Sequence, residues 1–281
     1  MPFPAALSFS ICSFFEQSRP GGGMKQDPAA AALLAELKRH IDRVGRVSKN
    51  TWATIPFGVE PIDAHLPDRG LAVGALHEIA GAGLDLEHGA AAALFAGGAL
   101  ARAKGPVLWV LERRDLFAPA LAQVGLGPER VIYVEAGKPA GVLLAMEEGL
   151  RHQGLAGVVG EVSGRMTLTA SRRLQLAAEA SGTIGFALRR SRKRDDPVLA
   201  EPSAAVTRWR IEPVPSPPPL AHAPDTPGLG RGRWRLMLVR CRGGEGAEWI
   251  VEACDATGRL GVVSDPGQRP AQEAPRRRAA G

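Results

Sequence analysis

Gly81, Gly83, Asp85, Glu87 and Gly89 stand where an apolar run, Ala75–Ala80, gives way to an Ala/Leu-rich helical pattern beginning at Gly89. Strand, glycine-punctuated turn and helix N-terminus are the layout of a phosphate-binding loop, where backbone amides and the helix dipole hold the anion. A working loop reads G-x-x-x-x-G-K-[ST]; the lysine reaches the outer phosphates and the hydroxyl holds magnesium. Counted from Gly81, the second glycine falls on Leu86, the lysine on Glu87 and the hydroxyl residue on His88. Counted from Gly89, Ala90 and Ala91 take the last two places. Neither register supplies a cation or a hydroxyl. Asp85 and Glu87 instead put negative charge where a polyphosphate would lie, and two like charges about 4 Å apart repel by several kcal/mol at an intermediate dielectric.

The other half of such a site is equally incomplete. Glu112 follows V-L-W-V-L (107–111), the place of an acidic residue that orients an attacking water. The strand that should end in a magnesium-linked aspartate reads G-V-V-G-E-V, with Gly160 at that position and Glu161 next. Without a metal, Glu112 reads as a leftover or a surface charge, and ATP hydrolysis is not expected. Ser163 and Ser171 have no visible His/Asp partners for nucleophilic catalysis. The histidines lack ligand spacing, and Cys12, Cys241 and Cys254 form no Cys-x-x-Cys pair. No metal, cofactor or disulfide scaffold is expected, and a reducing cytoplasm fits.

The remaining chemistry is cationic. Residues 1–162 carry 15 Lys/Arg against 17 Asp/Glu, and residues 163–281 carry 20 against 12, so the net +6 resides in the C-terminal part. Arg165, Arg172, Arg173, Arg189, Arg190, Arg192, Lys193 and Arg194 are candidate DNA contacts, of the kind that attracts phosphates without sequence preference. A solvated charge run is the plain alternative. Trp209 and Trp234 are the nearby aromatics for stacking on single strands, and serve strand packing equally well.

The elements that must position these residues follow from periodicity. Strands are predicted at 107–111, 131–135, 155–162 and 183–188, with helices at 116–124, 142–152 and 169–181 between them. Such alternation implies right-handed βαβ units and a parallel sheet. Gly97-Gly98 in the first helix would permit close packing. A strand at 205–212 follows the basic run, and seven prolines between Pro213 and Pro227 read as an extended loop. Strands at 233–242 and 248–254, joined by G-G-E-G, form a hairpin.

The domain reading is therefore 1–26 disordered or preceding the true start at Met24, 27–50 an amphipathic helix and linker, and 51–212 the core. A Pro-rich loop (213–232), a hairpin extension of the core (233–263) and a disordered tail (264–281) complete it. In the early helix Asp27 caps and Pro28 starts, while Leu33, Leu37, Ile41 and Val44 form an apolar stripe fit for packing or for docking a partner. Residues 1–23 have neither a charged n-region nor a cleavage site, so no signal peptide is read, and no apolar run reaches membrane-spanning length.

The order of elements, the lead-in with Gly58, Asp63, Leu66, Gly70 and Gly74, and Glu112 at its strand end together resemble a RecA-type core. That gives an α/β fold with a mainly parallel sheet flanked by helices and antiparallel C-terminal strands at the sheet edge. The motifs T-A-S-R-R-L-Q-L-A-A-E-A (169–180), A-A-V-T-R-W-R-I (204–211), R-W-R-L-M-L-V-R-C-R-G-G (233–244) and E-A-C-D-A-T-G-R-L (252–260) narrow the resemblance to the ImuA family. The resemblance spans roughly Leu33–Val263. It implies a role in SOS-induced, error-prone translesion synthesis beside ImuB and a mutagenic C-family polymerase, with RecA and DNA as further candidate partners. It carries over no catalytic residue. The expectation is a non-catalytic adaptor; the alternatives are a DNA-dependent ATPase with a non-standard loop and a plain DNA-binding module.

Overall fold

A computed structural model of the chain describes residues 53–263, apart from 192, 221, 224, 227 and 229. The expected helix with Leu33, Leu37, Ile41 and Val44, the early start segment and the tail after 263 lie outside the described residues.

The described chain opens with a small antiparallel pair, β1 (Thr54–Ile55) and β2 (Leu71–Ala72), around the one-turn helix α1 (Glu60–Asp63). The buried Asp63 carboxylate accepts the amides of Phe57 (2.6 Å) and Gly58 (2.8 Å), which seats this lead-in on the core. Then come β3 (Leu76–Gly81), α2 (Asp85–Ala101), β4 (Val107–Leu111), α3 (Ala118–Gln123), β5 (Val131–Glu135) and α4 (Pro139–Leu150). They are followed by β6 (Gly157–Ser163), α5 (Leu168–Ser181), β7 (Ile184–Arg190), β8 (Thr207–Val214), β9 (Arg233–Cys241), β10 (Ala247–Glu252) and β11 (Gly261–Val262).

Strands β3 to β11 make one nine-stranded sheet in the order β11-β10-β9-β8-β3-β7-β6-β4-β5. It is parallel from β8 to β5 and antiparallel from β8 outward to β11. The central strands are covered on both faces, which is why they read as near-continuous apolar runs. One face carries α2 and α3 over Ile79, Trp109, Val159, Phe186 and Trp209. The other carries α4 and α5 over Leu76, Val110, Val158 and Ala187.

Trp209 and Trp234 are buried in the first of these cores, and Trp209 lies 5.6 Å from both Phe57 and Phe95 between ring centroids. That corrects the stacking alternative: neither indole is available to a nucleic-acid base. Gly97 and Gly98 do let neighbours approach closely. A Cβ at 97 would lie 3.0 Å from Leu121 of α3, and one at 98 only 2.4 Å from the Cys254 sulfur.

Most boundaries shift by one to three residues, and three of the differences have a clear cause. Helix α2 begins at Asp85 rather than Gly89, since Asp85 and Glu87 in its first turn suit the positive end of the helix dipole. Strand β7 continues two residues past Leu188, so Arg189 and Arg190 belong to the sheet. Pro213 lies inside β8, opposite Trp234 of β9; the β3 pairing has already ended at Ile211, so its missing N–H breaks no bond. No described helix is long and apolar enough to cross a membrane.

Candidate functional site

The carboxyl ends of β3, β4, β6 and β7 meet the N-terminus of α2, the place where open α/β sheets bind ligands. Between β3 and α2 only Ala82, Gly83 and Leu84 remain, too few to wrap a polyphosphate. The chain's own side chains fill the space that the glycines leave. A Cβ on Gly81 would lie 2.5 Å from His88 Cβ, and one on Gly83 would lie 2.7 Å from His88 Nε2. A Cβ on Gly89 would lie 2.4 Å from Asp85 Oδ1. These glycines thus accommodate an imidazole and a carboxylate of the same turn.

Arg190 leaves the end of β7 toward this turn and lies among three carboxylates. Its Nε donates to Asp85 Oδ2 (2.7 Å), its terminal nitrogens donate to both Asp115 oxygens (3.1 Å each), and Nη1 also donates to Glu161 Oε2. Glu161, whose side chain is 2% exposed, accepts the Trp109 indole N–H on its other oxygen at 2.9 Å. Burial pulls the Arg190 guanidinium down, but Glu161, Asp85 and Asp115 outweigh it and hold it above its usual range. Burial also pushes the Glu161 carboxyl up, against the opposing pull of Trp109 and Arg190. Burial raises the acid while the surrounding acids raise the base; we take the bonded geometry as that of a charged pair, because Arg190 has three anions around it. A guanidinium therefore fills the space between the α2 N-terminus and the carboxyl ends of β4 and β6.

The strand alternation corrects one expectation. Gly160 does not face this site: a Cβ there would lie 2.0 Å from the Met146 sulfur, on the α4 side of the sheet. Glu161 is the acid of β6 that faces the turn, and Arg190 already neutralises it. Glu112 accepts the Ser163 amide at 3.3 Å, which ties β4 to β6. Glu87 stands in the first turn of α2, half exposed, 3.5 Å from His88 Nε2 and 3.6 Å from Arg194.

The expected cluster of cations is divided by the fold. Arg189 is buried on the face opposite to Arg190, 3.9 Å from Glu78, and donates to the Gly164 carbonyl at 2.6 Å. Burial lowers its affinity for a proton, partly offset by Glu78. Arg165 pairs with Glu201 (2.9 Å) and Arg173 with Glu147 (2.6 Å). Arg172 and Lys193 are exposed and make no ion pair with another described residue. Arg192 is outside the described residues. Of the candidate DNA contacts, Arg189 and Arg190 are both committed to protein partners. Among the described residues no group of three or more His, Cys, Asp or Glu could hold a metal ion.

Beside Arg190 opens a cleft of about 770 Å³ between the first half of α2 and the start of α3. Leu84, Ala90, Ala93, Leu94, Leu116 and Leu121 line much of it. Leu86 on one wall is 97% exposed and Phe117 on the other 68%. Periodicity did not point to this cleft, nor to Asp115 or the role of His88. The exposed Leu86 in an acidic first turn was the only local sign.

The crystal structure of the RadB recombinase is similar to this chain, with a TM-score of 0.52 at 17% identity over 75% of this chain and 100% of that one. The fold is thus that of the RecA-like recombinases. No family model matches the chain. Protein ImuA of Caulobacter vibrioides, in two strains, is 44% identical over 210 residues, spanning 72% of this chain and 84% of the relative. The chain belongs to the ImuA family.

Proposed function

We propose that this protein is a non-catalytic, RecA-like accessory factor in damage-induced, error-prone translesion DNA synthesis. In this reading it joins ImuB to the mutagenic C-family polymerase, with RecA and DNA as further contacts. Family membership supports the mutagenesis role, and the recombinase fold supports the accessory one. The observation that carries the non-catalytic part is Arg190 bonded to Asp85, Glu161 and Asp115 at the helix N-terminus. A triphosphate would have to displace that guanidinium and then face three bare carboxylates. It would find no lysine from the loop in return, and the cost of unpaired buried charge disfavours the exchange.

Two measurements test the reading on the full chain. ATP with magnesium at millimolar concentration is expected to leave the melting temperature unchanged, because any ligand at about a hundredfold its Kd would add roughly 2.7 kcal/mol. Co-expressed ImuB is expected to co-purify through gel filtration. A melting shift with ATP, or ImuB eluting apart from this protein, would overturn the corresponding half.

A further inference from the structure

The apolar cleft beside Arg190 is not explained by the loss of nucleotide binding. Its volume, about 770 Å³, falls within the range of ligand sites. Helices α2 and α3 close on each other at Gly97, where Leu121 and Val124 pack 3.0 and 3.3 Å from the position of a Cβ. Toward Leu86 and Phe117 the small residues Gly89, Ala90 and Ala93 leave the wedge open. Large, nearly bare apolar side chains on both lips of one cleft are a mark of a protein interface.

The charges select the occupant. Asp85, Asp115 and Glu161 outnumber Arg113 and Arg190 in the lining, within a chain whose net charge is +6. The Glu87 carboxylate, one residue after Leu86 in the same first turn of α2, accepts no hydrogen bond from a described residue. His88 and Arg194 stand 3.5 and 3.6 Å away, within ion-pair range but without a hydrogen bond, and they hold this half-exposed carboxylate only weakly. A phosphodiester would be repelled here, whereas a cation would be welcomed at the rim and an alkyl or aromatic group inside.

Resting on the adaptor reading, we propose that this cleft is the docking site for a segment of a partner protein. The segment presents two bulky apolar side chains to the wedge between Leu86 and Phe117 and a neighbouring lysine or arginine to Glu87. The wedge supplies desolvation, and the carboxylate sets which end of the segment enters first.

The test uses the full chain with a benzophenone amino acid at position 90 or 117, co-expressed with ImuB and the C-family polymerase and irradiated. The crosslinked peptide is then sequenced. The expected product from both positions is one segment with two large apolar residues and an adjacent Lys or Arg. Ala90→Trp, which fills the wedge from an exposed position, is expected to weaken capture of that protein about tenfold or more at unchanged melting temperature. Glu87→Lys is expected to weaken it by a smaller factor that shrinks at high salt. Crosslinks to nucleic acid, to an acidic segment, to a small molecule alone or to nothing would overturn the proposal. So would full capture by folded Ala90→Trp, and in that case the adaptor reading survives with its surface elsewhere. If wild type itself captures neither protein, the adaptor reading fails first.

Discussion

Replacing Arg190 by alanine removes the only cation among the described residues bonded to Glu161, whose side chain is 2% exposed and retains just the Trp109 indole. Breaking a buried pair from one side costs about 3–5 kcal/mol. Asp115, 42% exposed, regains water when released and adds no more than the ~0–1 kcal/mol of a surface pair. Asp85 keeps the favourable field of the α2 N-terminus. The loss is therefore set by Glu161 and belongs at the lower end, about 3 kcal/mol, or about 6–12 °C in melting temperature for a domain of this size. Adding Glu161→Gln removes the stranded charge while leaving an oxygen for Trp109, and should recover about 2 kcal/mol. The deficit of the single variant should also narrow as pH falls from neutral. A carboxyl whose folded affinity for protons is raised binds one in the native state first, so acid favours that state. Urea titration followed by far-UV circular dichroism measures all three quantities. A single variant as stable as wild type, or a double variant no better than the single one, would refute the view that Arg190 is the counter-ion closing this site.

Other expectations follow from the same geometry. Arg130 donates to the carbonyls of Leu100 and Ala101 in the last turn of α2 and of Ala103 and Gly105 just beyond it, so Arg130→Ala should cost about 2 kcal/mol in the same titration. His77 is wholly buried between Thr207 and the Ala72 carbonyl, and burial lowers its pKa to about 4. The unfolded chain then binds the proton first, so stability falls by up to about 3 kcal/mol as pH drops from about 6.5 to about 4, and His77→Gln should flatten that slope. Gly83→Ala should cost about 1 kcal/mol against the His88 ring and nothing in a His88→Ala background, as seen in melting curves; equal costs in both would mean that His88 is not what the glycine accommodates.

Much of the architecture was legible before folding. The strands at 107–111 and 131–135 match β4 and β5 residue for residue: β4 is an inner strand that declares itself as an apolar run, and β5, at the sheet edge with Ile132 and Tyr133 exposed, is marked by its β-branched and aromatic residues. Helix α5 begins within a residue of its expected start, where Thr167 supplies the cap by accepting the Ala170 amide. Boundaries slipped where a second strand decided them: β7 runs on to Arg190 because β6 offers partners as far as Ser163. Pro213 stays in β8 because its neighbour on that side has already ended.

The absence of a lysine and a hydroxyl after Gly81 is a matter of residue types in one contiguous stretch, so the linear order of amino acids settles it. The fate of the charges is not local. Arg189 and Arg190 are neighbours in the chain, yet the two-residue period of a strand sends one toward Glu78 and the other toward Asp85, on opposite faces of the sheet. Arg190 meets Asp85, Asp115 and Glu161 from 105, 75 and 29 residues away. Whether a charge is solvated, paired or free to meet a phosphate depends on what the sheet brings within a few ångströms of it. Sequence writes the sign of each charge; packing decides its partner.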